Sequence, residues 1–285
     1  MITTNDIEKL NSELLNIWST YNEKIKNKDG KVVSPLLSPC YLSDTLVTNE
    51  CKLLVLGLNP SYSYPNWKKV LKKEIPPEQD ITQKLRDLRK KILDHSIVAD
   101  KKNKSIDNYC KFRDNDIQKN DLIYLDSSAS DKSEGVQYFS KIRELAEEIL
   151  MLEKSNWRHL DIFYYRETKQ NKIKNLIDYN DDFFSRQMDI TKRLILMLEP
   201  SMILVSNAFA GENFRKMFAD DSANFFVKYP INLSQGTHLI QVGKKKNVPL
   251  FFSGMLSGQR ALDLGSYERL KWHMKAVADG KSMKK

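Results

Sequence analysis

Residues 52–65, KLLVLGLNPSYSYP, place an amide, a rigid turn and two phenols directly after an apolar run. Asn59 has the most defined chemistry there, because its carboxamide both donates and accepts and can orient a water molecule or meet the edge of a base. Pro60 biases Asn59 toward an extended conformation and Gly57 allows close backbone approach, so the amide projects from a stiffened turn. Tyr62 and Tyr64 add flat faces for stacking. An Asn-Pro pair can also do no more than start a turn. Two further loops gather polar groups: Arg166-Glu167-Thr168 follows HLDIFYY at 159–165, and SGMLSGQRALD at 253–263 follows PLFF. The second of these reads equally well as a glycine-relaxed turn into a last helix.

The 285 residues carry a formal charge of +9, which suits an anionic partner such as DNA or a nucleotide. The charge is unevenly spread. Between Lys68 and Lys104 there are twelve Lys or Arg against six Asp or Glu. Beginning with Lys68 and Lys69, this stretch is either a phosphate-facing flank or a solvated helix face whose long side chains cover apolar surface. Neither G-x-G-x-x-G nor G-x-x-x-x-G-K-[ST] occurs, so the phosphate loops of dinucleotide and nucleoside-triphosphate enzymes are missing. Cys40, Cys51 and Cys110 lack paired spacing, which predicts free thiols and a reducing cytoplasm. His95, His159, His238 and His273 lack metal-ligand spacing, so no metal and no cofactor are expected. No apolar run approaches bilayer length, so the chain is expected to be soluble and without a membrane partner; a monomer is expected as well.

Those loops need a frame to hold them. The run Leu53-Leu54-Val55-Leu56 predicts a strand buried on both faces, and buried parallel strands present ligand-binding loops at their carboxyl ends. Further core strands are predicted at 159–165, 202–206 and 249–253, with an edge segment at 237–242. Helices are predicted at about 4–28, 134–152, 181–198, 208–218 and 267–277, the fourth capped by Asn207. Strands alternating with helices imply an α/β protein: a three-layer α/β/α sandwich around a mostly parallel four-stranded sheet. One domain over residues 1–285 is expected, with a basic insertion at about 68–133.

In this frame the chain resembles the uracil-DNA glycosylase superfamily, in particular its single-strand-selective and mismatch-specific branches. Gly57-Leu58-Asn59-Pro60 after LLVL matches their strand ending in Gly-x-Asn-Pro. LILMLEPSMILVSNAFA at 194–210 is similar to their helix, proline, buried strand and small-residue turn. Their final His-Pro-Ser-Pro would fall on Met255-Leu256-Ser257-Gly258, which keeps the serine and replaces the histidine by Met255.

The resemblance implies a protein that flips a base out of DNA, stacks it on an aromatic ring and hydrolyses its N-glycosidic bond. By motif match, Asn59 would position the water, with Gly57 and Leu58 beside it, and Tyr62 or Tyr64 would stack the base. Asp161 falls where the family carries a base-reading asparagine. A carboxylate only accepts, which favours a base presenting N–H or amino donors; a pairing of Asp161 with Arg166 is the alternative. Asn207 would border the base pocket, and Ser257, Gln259, Arg260, Lys68 and Lys69 would hold the DNA backbone. Two functions follow: a DNA N-glycosylase of base-excision repair, or a catalytically silent nucleic-acid- or nucleotide-binding protein on the same fold.

Overall fold

β1 (Leu53–Gly57) is buried along its whole length, as its unbroken apolar run requires. Its alternation divides the molecule. Leu54 and Leu56 enter one core, while Leu53 and Val55 enter the other. The computed structural model describes residues 2–21, 24–32, 39, 42, 46–47, 50–59, 137–153, 156–165, 167, 170–218, 227–228, 237–256 and 261–280.

Around β1 the strands are β2 (Trp157–Asp161), β3 (Ile203–Val205), β4 (Val227–Lys228), β5 (Thr237–Val242) and β6 (Lys245–Phe252), in the spatial order β2-β1-β3-β6-β5-β4. The β2, β1, β3 and β6 strands are mutually parallel, the expected central four. The sheet has six strands rather than four. β5 and β4 extend it in antiparallel fashion, because Gly243 and Lys244 return the chain in a two-residue turn from Val242 to Lys245. Pro249 is tolerated inside β6 because pairing with β3 begins only at Leu250.

One face of the sheet is covered by α1 (Thr4–Tyr21), α3 (Gln170–Tyr179), α4 (Asp181–Leu198) and α5 (Ala208–Met217). On the other face lie α2 (Gln137–Arg143), the π-helical turn Glu144–Ile149 that continues it, and α6 (Leu264–Ala278). The result is an α/β/α sandwich. Several bounds differ from the sequence expectation. The first helix ends at Tyr21 rather than near residue 28. The helix expected to run to 152 widens into π geometry after Arg143, and α3 appears where no helix was predicted. The second strand closes at Asp161 rather than 165, and Ile162–Tyr165 continue as buried non-strand chain.

Each end has a local cause. Thr3 and Asp6 cap α1 reciprocally: the Thr3 N–H donates to Asp6 Oδ2 at 2.9 Å and the Asp6 N–H donates to Thr3 Oγ1 at 3.3 Å. Asp263 caps α6 by accepting from the Ser266 N–H at 2.9 Å. Glu199, with φ of 41°, ends α4 in the left-handed region ahead of Pro200. Among the described residues no helix is long and apolar enough to cross a membrane.

Candidate functional site

The connection after β1 leads to β2 on one side, whereas the connection after β3 leads away past β6 and β5 to β4 at the far edge on the other. Chains that part in this way open a crevice at the carboxyl ends of the two strands, where ligands of open α/β sheets bind. Gly57, Leu58 and Asn59 stand at the end of β1 on one side of this point, and Ser206 and Asn207 follow the end of β3 on the other. Asp161 stands beside them, in register with Gly57 across the β1–β2 pair.

Asn59 holds two loops together. Its Nδ2 donates to the Tyr165 carbonyl at 3.2 Å and to the Glu167 carbonyl at 2.7 Å. Both amide protons of Asn59 thus satisfy backbone carbonyls of the segment after β2. Below this bridge the two loops run side by side, the Ile162 N–H donating to the Gly57 carbonyl at 3.1 Å and the Phe163 N–H to the Leu58 carbonyl at 2.9 Å.

α4 supports the same segment from beneath with two fully buried polar residues. Gln187 Oε1 accepts from the Tyr164 N–H at 2.9 Å, and Thr191 Oγ1 donates to the Ile162 carbonyl at 3.0 Å. Thr191 also shares a hydrogen bond with the Tyr164 hydroxyl at 3.0 Å. Phe163 and Tyr165 meet Phe184 edge-on, with ring centroids 5.1 and 6.0 Å apart. Burial, reinforced by the nearby Glu167 charge, pushes the Tyr165 phenol up to about 12. Glu167 itself pairs with Lys172 at 3.4 Å.

Across the crevice, the Ser206 N–H donates to the Leu56 carbonyl at 2.9 Å. Asn207 caps α5: its Oδ1 accepts from the Phe209 and Ala210 N–H groups at 2.9 and 3.0 Å. The cap uses the carbonyl end of the side chain, which leaves its amide nitrogen as the donor. At the end of β6, the Ser253 N–H donates to the Val205 carbonyl at 2.9 Å. Met255 bridges Ala261, and its carbonyl accepts from the Leu262 N–H at 2.8 Å, which closes the base of the last loop.

Gly57, Leu58, Asn59, Asp161 and Asn207 therefore come together at one edge of the sheet. Tyr62, Tyr64, Lys68, Lys69, Arg166, Ser257, Gln259 and Arg260 lie outside the described residues. Gln187 and Thr191 went unnoticed in the sequence, although two polar residues on the apolar stripe Phe183, Phe184, Ile190, Leu194 were a readable sign of a buried polar contact. Among the described residues no group of three His, Cys, Asp or Glu side chains could hold a metal ion. Cys51 is a buried free thiol, and burial pushes it up to about 12. No family model and no curated protein matches the chain.

Proposed function

We propose that the chain is a uracil-DNA glycosylase-like protein that receives a flipped nucleobase in the crevice between β1 and β3 and hydrolyses its N-glycosidic bond. The observation that supports this most is the bridge from Asn59 to the Tyr165 and Glu167 carbonyls. It fixes the Gly-x-Asn side of the crevice against the strand end that carries Asp161. Oδ1 of Asn59 accepts a hydrogen bond from the attacking water and orients it, and the water oxygen bonds to the sugar carbon as the carbon–nitrogen bond breaks, the proton the water loses passing to solvent in balance with the one the base gains. The bond's electron pair leaves with the base, which takes up a proton. Asp161 accepts from the donor edge of that base, and Tyr62 or Tyr64 stacks it at about 1–3 kcal/mol.

Met255 cannot donate a hydrogen bond to the departing base, and loss of one such donor costs on the order of a hundredfold in rate. That position, and the commitment of both Asn59 amide protons to backbone, favour a second function: a silent binder of nucleic acid or nucleotide.

A base-release assay on single- and double-stranded oligonucleotides carrying uracil, hypoxanthine, xanthine or a mismatch separates the two. Release by the wild type that Asn59→Ala abolishes, with the melting temperature recorded alongside, is the expected outcome. Saturable binding without release from any substrate would leave the silent binder.

A further inference from the structure

A second group of residues lies on the α5 side of β6 and β5, outside the crevice. Phe252, the last residue of β6, has the Arg215 guanidinium 3.9 Å over its ring centroid. The His238 ring stands 5.4 Å from the same ring, at an interplanar angle of 67°. His238 pairs in register with Leu250, whose side chain enters the α5-side core. Gly211 gives this arrangement room: a Cβ there would stand 3.1 Å from Phe252 Cδ1 and 3.4 Å from Nη1 of Arg215, close enough to press the ring outward by a few tenths of an ångström.

Arg215 is exposed, and among the described residues it enters no salt bridge. Arg186 and Arg193, by contrast, each pair with a carboxylate. With Cζ 3.9 Å from the ring centroid, a guanidinium that lies parallel to the ring keeps its N–H donors in its own plane, directed past the ring edge. That fork matches two oxygens of one phosphate. Burial, with the Arg215 charge adding to it, pushes the His238 imidazolium down, so the ring does not compete as a cation. Phe252 leads directly into Ser253, whose N–H bonds the Val205 carbonyl at the end of β3. Only β3 separates β6 from β1, an offset of about 10 Å at ordinary strand spacing.

We propose that Arg215, seated on Phe252 and flanked by His238, binds a phosphate group at the rim of the crevice. Given the nucleic-acid function above, on which this rests, the phosphate is a phosphodiester of the strand whose flipped nucleotide enters the crevice. A free nucleotide would present the same chemistry.

Fluorescence anisotropy with a labelled single-stranded oligonucleotide over a range of salt concentrations tests the site. Arg215→Gln should weaken binding about tenfold and reduce the slope of log affinity against log salt by about one. Arg215→Lys should recover part of the affinity, and Lys216→Gln, of equal charge change on the neighbouring residue, should leave it largely intact. The His238 ring resonances should shift on adding oligonucleotide to the wild type and not to Arg215→Gln. Equal affinity and slope in wild type and Arg215→Gln would overturn the site, as would equal losses in Arg215→Gln and Lys216→Gln. If no oligonucleotide binds, a nucleoside monophosphate and inorganic phosphate are titrated against the same resonances. A shift abolished by Arg215→Gln then keeps the site and removes the nucleic-acid function; no shift with any probe removes the site. Base release that depends on Asn59 but not on Arg215, with Arg215→Gln binding as wild type, would remove the site and leave the glycosylase.

Discussion

Thr191 and Tyr164 show how single side chains set the geometry of the crevice. Thr191 Oγ1 meets the Ile162 carbonyl and the Tyr164 hydroxyl at full burial, where a lost partner leaves a polar atom without water to replace it. Thr191→Val keeps the shape and removes both contacts, so it should destabilise the protein by about 1–3 kcal/mol. Tyr164→Phe removes one of the same contacts. The double variant should therefore lose less than the sum of the two, with a coupling of about 0.5–3 kcal/mol. Urea denaturation of the four proteins measures it, and strict additivity would show that the hydroxyls act separately. Asn59 belongs to the same scheme from above, since its two donors hold the far end of the segment that Thr191 and Gln187 hold from below.

At the scale of elements, the turn between β5 and β6 depends on a contact with the end of α4. Glu199 Oε1 accepts from the Lys244 N–H at 2.7 Å, and Gly243 beside it has φ of 57°. A Cβ on Gly243 would stand 2.4 Å from that carboxylate oxygen. Gly243→Ala should cost about 1–3 kcal/mol, from left-handed backbone strain and a displaced carboxylate. Thermal unfolding reads the loss, and an unchanged midpoint would mean the turn relaxes without strain. The four parallel strands, α4, α5 and α6 were legible because long apolar runs and helical periodicity report burial directly. The Asn207 cap was legible because cap chemistry is local. The extent of β2 was not, because Ile162–Tyr165 are as apolar as strand residues yet bond to Gly57, Leu58 and α4 in place of a regular ladder. β4 escaped notice because two residues carry no period, and its place follows only from pairing with β5. Within the crevice, the motif pointed to Asn59, but the destination of its amide protons depends on carbonyls more than one hundred positions away.

For the molecule as a whole, His273, which is buried, and His159 and His238, which are partly buried, should make stability sensitive to mild acid. Burial pushes His159, at the centre of β2, from its ordinary 6.5 down to about 4, and pushes His273 and His238 in the same direction. Below 6.5 the unfolded chain takes up a proton at His159 that the folded protein refuses until about pH 4. The stabilising effect is therefore whole above 6.5, shrinks as pH falls through that window and changes no further below it. His159 alone accounts for at most on the order of 3 kcal/mol. Urea unfolding at pH 7.5 and pH 4.5 should show a smaller drop for His159→Gln than for the wild type, and equal drops would place the acid sensitivity elsewhere.

The position of β1 also governs the order in which the sheet can be completed. β1 lies between β2 and β3, and its pairs Leu53 with Trp157 and Leu54 with Ile203 span more than one hundred residues. The β5–β6 hairpin needs only two intervening residues. Loop closure on the scale of β1 is slow and hairpin closure is fast. During synthesis β1 emerges well before both neighbours, so its apolar run must wait with its edges unpaired. A newly made chain is thus most exposed to aggregation between the appearance of Gly57 and that of Val205.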